Sequence, residues 1–463
     1  MNIIEGDRIY GIYLPFSKQN LSRKVSKLRI KFLKGNSVEK AGGLAQIKSG
    51  FQKSFWVANG MELFERLAYY GQATILSVFL RDHLRFSEVE AGQLSSIFGG
   101  LIYFLPIFAG ALADKFGFKR AFSFAFFVLA TGYFLIGSTG IALFSGYYSD
   151  TNLFIILSFI LIFTAIGGSF IKPSVLGTVA LTTTPETKSL GYAIYYWLVN
   201  IGAALGPLLA YLVRDSFGIE FVYLVSAISC ALMFLVTLIF FKEPQAKVDE
   251  QRDSLVQVVK NLWTVVKNIK FMIFLLIFAL YWIVFWEFFI VIPFYISDYI
   301  SPEAPIELIL SVGAWTIILL QIPINRLTKN IPTPTAIMIG FIFAALSWFL
   351  LYFSSLAGIS VGLGLIIGTI FIFSVGEQTQ APRFYEYLAD LAPKGQAALF
   401  QGFAFLPIAI AWTLGGTFGG WIYHTYGRKE VGQPEMVFLI IGLVGIIAAI
   451  MMLIYNAYMK RTQ

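Results

Sequence analysis

The chain has 463 residues, 57% of them hydrophobic and only 13% charged, with a net charge of +8. Soluble globular chains carry about 25% charged residues, and here the apolar residues gather in long blocks. An ordinary soluble domain is thereby excluded. The single cysteine, Cys230, excludes a disulfide framework or a cysteine-based metal centre, and no metal site is expected.

Residues 1–54 hold eleven of the 34 Lys and Arg, with no apolar stretch and small-residue cleavage site behind them. They read as a basic cytoplasmic tail to which no function is assigned. Twelve stretches that are long and apolar enough to cross a bilayer follow, at 55–80, 91–112, 121–143, 153–176, 191–213, 221–241, 271–296, 306–325, 335–356, 361–381, 397–423 and 435–458. The first is the weakest, because Glu62, Glu65 and Arg66 interrupt it; Leu67 to Leu80 carry it.

These stretches divide into a six-helix bundle at 55–241 and a second at 271–458, with a short cytoplasmic end at 459–463. Between the bundles, the cytoplasmic linker 242–270 places Leu255, Val258, Val259, Leu262 and Val266 at helical spacing among Arg252, Lys260 and Lys267. That pattern predicts an amphipathic helix on the anionic inner leaflet. The expected fold is an all-α membrane protein of about twelve transmembrane helices in two bundles of six, as in carriers whose halves rock about a midplane site.

Basic residues set the orientation. With the N-terminus inside, 27 of the 34 fall on the inner side. Five (Arg81, Arg85, Arg214, Arg428 and Lys429) fall outside, and Arg66 and Lys172 lie within spans. Basic residues accumulate on the cytoplasmic side of membrane proteins, so both termini are expected in the cytoplasm of a plasma (inner) membrane protein. The positive charge therefore reads as topology, and nucleic acid is not an expected partner.

Six charged residues stand inside the spans and clear of their ends: Glu62, Glu65, Arg66, Lys172, Glu287 and Glu377. Each costs about 2.5–3.5 kcal/mol at mid-bilayer if unpaired, so they are expected to face the protein interior. Glu62, Glu65, Arg66, Tyr69 and Ala73 follow i, i+3, i+4, i+7, i+11 spacing and share one helix face. A carboxylate beside a guanidinium stays ionised, whereas one left in an apolar cavity holds a proton. A Glu whose neighbour moves between states thus takes up a proton on one side and releases it on the other. Salt bridges that merely join helices are the structural alternative.

Motifs sharpen this reading. Gly110-Ala111-Leu112-Ala113-Asp114-Lys115-Phe116-Gly117-Phe118-Lys119-Arg120 resembles the G-x-x-x-D-[RK]-x-G-[RX]-[KR]-[KR] loop of the major facilitator superfamily, with Phe118 in a usually basic slot. Glu62-Leu63-Phe64-Glu65-Arg66-Leu67-Ala68-Tyr69-Tyr70-Gly71 resembles the E-x-x-E-R-[FL]-x-Y-Y-G signature of the proton-coupled oligopeptide transporters. Gly168 to Pro173 is similar to that family's G-x-x-x-K-P, and Tyr195 to Gly202 to its F-Y-x-x-x-N-x-G. Tyr103 to Pro106, Trp286-Glu287, and Glu377 before Pro382 follow in the family's order, so the resemblance runs from about 55 to 425.

The resemblance implies a proton-coupled symporter of di- and tripeptides that works by alternating access as a monomer. Its driving force would be a proton gradient, with no cofactor and no obligate protein partner. Glu62, Glu65, Arg66, Lys172 and Glu287 take the proton-coupling roles, and Arg66, Tyr69, Tyr70, Tyr103, Lys172, Asn200 and Glu377 the substrate-binding ones. Asp114, Lys115, Gly117 and Arg120 form the inner-gate loop. Ala73, Ala314 and Ala404 stand where the family's peptide carriers have Arg, Asn and Trp, which makes nitrate or an organic metabolite the alternative cargo. The only histidines, His83 and His424, fall in outer loops, and no G-x-x-x-x-G-K-[ST] loop exists. An enzyme and an ATP-driven pump are therefore not expected. A transporter-like sensor is the alternative of a different class.

Overall fold

A backbone crossing hydrocarbon must satisfy its own N–H and C=O groups, which makes each long apolar run a helix. In the computed structural model, which describes residues 50–148, 152–184, 187–244, 255–393, 400 and 402–462, this holds throughout. Helix α1 runs over Lys53–Ala73 and continues through Leu76–Val78 into a π-helical turn, Phe79–His83. Helix α2 is bent: Glu88–Phe104 and Pro106–Phe116 meet at 47°, because Pro106 has no N–H for the preceding turn and crowds it. Then come α3 (Phe118–Ser138), α4 (Leu153–Ser169 and Ile171–Thr182), α5 (Lys188–Phe217) and α6 (Ile219–Phe240). A linker helix, α7 (Leu255–Val266), precedes α8 (Ile269–Tyr295), which ends in a second π turn, Ile296–Ile300. The last five are α9 (Ile306–Thr328), α10 (Thr333–Leu356), α11 (Leu363–Leu391), α12 (Leu406–Ile422, with a third π turn at Tyr423–Gly427) and α13 (Pro434–Thr462).

Apart from α7, these are the twelve expected helices, six before the linker and six after it. Among the described residues, eight helices are long and apolar enough to cross a membrane, or nine with the bent α2 as one span. The remaining three are α1, α11 and α12. Charged residues interrupt α1 and α11, and the α-helical part of α12 has only 17 residues. Of the expected span at 397–423, the described helix is Leu406–Ile422, where Pro407 takes the first turn, and residues 397–399 and 401 lie outside the described residues. Conversely α5 and α11 outrun their expected spans, since a helix need not stop where hydrocarbon does. Residues 1–49 of the expected tail and Arg252 of the linker lie outside the described residues.

The two halves meet most closely where α2 crosses α12. Side chains at Gly92, Gly416 or Gly420 would collide with the backbone of the facing helix, and only the missing Cβ lets the helices approach so far. Ser96 Oγ accepts a hydrogen bond from Thr417 N–H at 2.8 Å in the gap. Elsewhere α5 packs on α9, and Ser77 Oγ of α1 donates to Phe289 O of α8 at 2.8 Å.

Candidate functional site

The helix periodicity of α1 stacks its charges on the inward face. Glu62 and Glu65 are fully buried and Arg66 nearly so. Arg66 Nε lies 3.4 Å from Glu62 Oε1, and the guanidinium is also paired with Glu65. Lys172, on the second segment of α4, stands within electrostatic reach of Glu62, Glu65 and Arg66. Two carboxylates and two cations therefore balance inside the N-terminal half. That is how buried charge is tolerated, although burial makes the cluster a weak source of stability. The Arg66 guanidinium also sits 5.0 Å from the Tyr69 ring and 6.0 Å from that of Tyr70.

Between the halves lies a cavity of about 290 Å³. Tyr69, Tyr70, Tyr103, Lys172 and Asn200 line it from the N-terminal side and Glu377 from the C-terminal side. Lys172 and Glu377 are its only charged lining residues among those described. Other walls are aromatic, with Trp282, Trp286, Phe289 and Phe405 prominent, and Ala73 and Ala314 also face in. Lys172 Nζ lies 4.9 Å from the Phe405 ring and 5.3 Å from that of Tyr103, a cation–π cradle built from both halves. Asn200 turns its amide back to Tyr196 O at 2.8 Å. The indole N–H groups of Trp282 and Trp286 are buried without a hydrogen-bond partner.

Four expected site residues, Glu62, Glu65, Arg66 and Glu287, stand apart from this wall. Arg66 does not line the cavity; it lies beneath Tyr69 and Tyr70, held by its two carboxylates. Glu287 is fully buried on α8 against Gly415 and Gly419 of α12, outside the cavity lining, and neither carboxylate oxygen has a hydrogen-bond partner. Among the described residues, neither Glu287 nor Glu377 has a basic partner. Deep within the spans, the described residues of the C-terminal half thus hold two acids without counter-ions, and those of the N-terminal half a balanced set.

The inner-gate loop is a tight turn between α2 and α3. Gly117 adopts φ +92°, a conformation that side chains rarely take. Asp114, Lys115 and Arg120 are exposed around it. The sequence reading missed Glu243, just past α6. Its two carboxylate oxygens accept from the N–H groups of Phe118 and Lys119, each at 2.7 Å, and so cap α3. An acid immediately before Pro244, at the end of an apolar run, was the available signal.

A second set of missed residues seals one end of the molecule. The three π turns at the ends of α1, α8 and α12 converge there. Arg81 makes a two-pronged contact with Asp298 (3.0 and 3.2 Å) and bonds Asp82 at 2.5 Å. Tyr423 donates to Asp298 at 2.8 Å, and Ser297 to Asp82 at 2.8 Å. Nearby, His424 Nδ1 lies 2.9 Å from Glu88 on α2, and Arg214 of α5 meets the fully buried Glu307 of α9 at 2.7 Å. Each of these clusters bridges the halves. This is the end with few basic residues, and the cavity lies on the other side of the seal.

Comparison with known proteins places this arrangement. The sequence model described as Major Facilitator Superfamily matches residues 61–302 and 288–462. Multidrug resistance protein MdtH of Photorhabdus laumondii is 23% identical over 392 residues, 82% of this chain and 89% of that protein. Dipeptide and tripeptide permease B of Yersinia enterocolitica is 30% identical over 187 residues, 40% of this chain and 36% of the permease. In fold, the chain is similar to a POT family transporter crystallised with 5-aminolevulinic acid. The TM-score is 0.69 at 19% identity, covering 87% of this chain and 96% of that one. These relatives are transporters, not enzymes. With the family model matched across both six-helix halves, the chain belongs to the Major Facilitator Superfamily and is a multi-pass membrane transporter.

Proposed function

We propose that this transporter is a proton-coupled symporter of di- and tripeptides that works by alternating access, with both termini in the cytoplasm of the plasma membrane. One observation carries the cargo assignment: a cation, Lys172, and an acid, Glu377, are the two charges on opposite walls of a single cavity. A zwitterion with its carboxylate on Lys172 and its ammonium on Glu377 draws the halves together, so binding favours closure. Two further observations support coupling. Glu62 and Glu65 share their two cations in a cluster that any shift of Lys172 would unbalance. Glu287, fully buried, and Glu377, half-buried in the cavity wall, have no cation at all among the described residues. The permease relative and the likeness to the POT fold agree with this reading.

A second reading, a carrier of nitrate or of an organic metabolite, is favoured by Ala73, which leaves Lys172 the lone cation in the cavity wall among the described residues, and by Ala314, which supplies no amide there. Thermal-shift titration with dipeptides, tripeptides, nitrate and organic acids separates the two. Stabilisation by free dipeptides, weaker for their N-acetylated forms, supports peptides. Stabilisation by nitrate alone replaces the cargo and keeps the carrier.

A further inference from the structure

Helix α7 divides its surface three ways. At 3.6 residues per turn, Val258, Leu262 and Val265 fall within about 40° of one direction, and Val258 and Val265 are buried against the bundle. Roughly 120° around the helix, Val256, Val259, Trp263 and Val266 form a second apolar stripe, and all four are exposed. The remaining third is polar, with Gln257, Asn261 and Thr264. Lys260 and Lys267 stand on the border between the exposed apolar stripe and this polar third, and residues 255–270 contain no Asp or Glu.

A helix that touches only protein and water has no use for the second stripe, and its surroundings say what covers it. Directly after α7 in the chain, Ile269, Ile273 and Leu276 of the membrane-crossing α8 are likewise exposed and apolar. Asn268 fixes the corner between the two helices by accepting from Phe271 N–H at 3.1 Å. Thus α7 leaves the foot of a spanning helix at the level where hydrocarbon ends. Lys267 Nζ lies 5.2 Å from the Trp263 ring, which pairs a cation with an interface-seeking indole.

We propose that α7 is a membrane-surface anchor: Val256, Val259, Trp263 and Val266 seat in the lipid interface while Lys260 and Lys267 bind anionic phospholipid headgroups. The bundle holds one face of the helix, acyl chains the second and water the third, with the lysines at the headgroup line. Each lysine near an anionic surface strengthens association about five-fold, so the pair sets a preference of about 25-fold for anionic over neutral lipid. Since α7 joins the two halves, lipid charge would act on the connection between them.

Nitroxide labels on single cysteines at Val259, Trp263 and Thr264, in the full chain carrying Cys230→Ala, test this in phosphatidylcholine vesicles with and without phosphatidylglycerol. Lipid-dissolved oxygen should relax the labels at Val259 and Trp263 several-fold more than an aqueous nickel chelate does, with the order reversed at Thr264. A fluorophore at Val256 should be quenched by spin-labelled phosphatidylglycerol far more than by spin-labelled phosphatidylcholine, and Lys260→Gln with Lys267→Gln should abolish the difference. Equal aqueous access at Trp263 and Thr264, or spin coupling between Trp263 labels of two chains, would overturn the anchor. Equal quenching by the two lipids would overturn the headgroup assignment.

Discussion

Arg81 at the end of α1 grips Asp298 at the end of α8 in a two-pronged pair, Nη2–Oδ1 at 3.0 Å and Nη1–Oδ2 at 3.2 Å. The pair bridges the two halves, so the proposed alternating access would break it each time the sealed end opens. A charge-assisted hydrogen bond contributes about 1.5–3 kcal/mol. Asp298→Asn should therefore shift the population toward an opened end by roughly 10- to 100-fold. Spin labels on cysteines at Leu143 and Glu430, exposed on loops of opposite halves, read this as a longer distance. An unchanged distance distribution would show that the pair does not govern closure.

Closure also rests on the α2–α12 approach. A side chain at Gly416 collides with Ser96 and with the backbone at Gly92, so Gly416→Val should hold this end apart and lower transport at least about ten-fold, a loss of some 1.4 kcal/mol in the closed state. Leu443→Val on the exposed face of α13 should transport normally. Normal transport by Gly416→Val would remove the crossing from the mechanism.

Orientation is tested by reporter fusions. One at Gly358, between α10 and α11, should read outside, and one at Lys329, between α9 and α10, should read inside. The reverse at both positions contradicts the arrangement inferred from the basic residues.

Cargo recognition predicts a charge-specific pattern. Glu377→Gln should weaken free dipeptides by about 10- to 100-fold, one charged hydrogen bond, and leave N-acetylated dipeptides nearly unchanged. Ala73→Arg, which returns a second cation to the cavity wall, should tighten dipeptide binding by a similar factor. Calorimetric titration of the purified variants measures both.

What the sequence disclosed and what it hid have one physical explanation. Charges inside apolar runs are costly, so Glu62, Glu65, Arg66, Lys172, Glu287 and Glu377 stand out in the sequence itself. The fold buries Glu62, Glu65 and Glu287 completely and sets Lys172 and Glu377 in one cavity. By contrast Arg81, Arg214, Asp298 and Glu307 stand at the ends of apolar runs, where ordinary loop charges also occur. Nothing local marks Arg81 as the partner of a residue 217 positions away; only the folded bundle does. Likewise, the spacing of Leu255, Val258, Val259, Leu262 and Val266 revealed the linker helix but not that two faces share its apolar residues, one packed on protein and one exposed. The offset of Arg66 from the cavity wall was equally hidden, because one helix face holds both the residues that line a cavity and those stacked beneath them.

The central claim, that a proton gradient drives this carrier through the Glu62–Glu65–Arg66–Lys172 cluster, is tested most directly in proteoliposomes whose only driving force is an inward proton gradient. Wild-type protein should concentrate a labelled dipeptide against its own gradient and lose that ability when a protonophore collapses the proton gradient. Glu65→Gln should fail to concentrate it while still exchanging labelled for unlabelled dipeptide across the membrane. Accumulation by Glu65→Gln equal to wild type, or wild-type accumulation indifferent to the protonophore, would contradict the account.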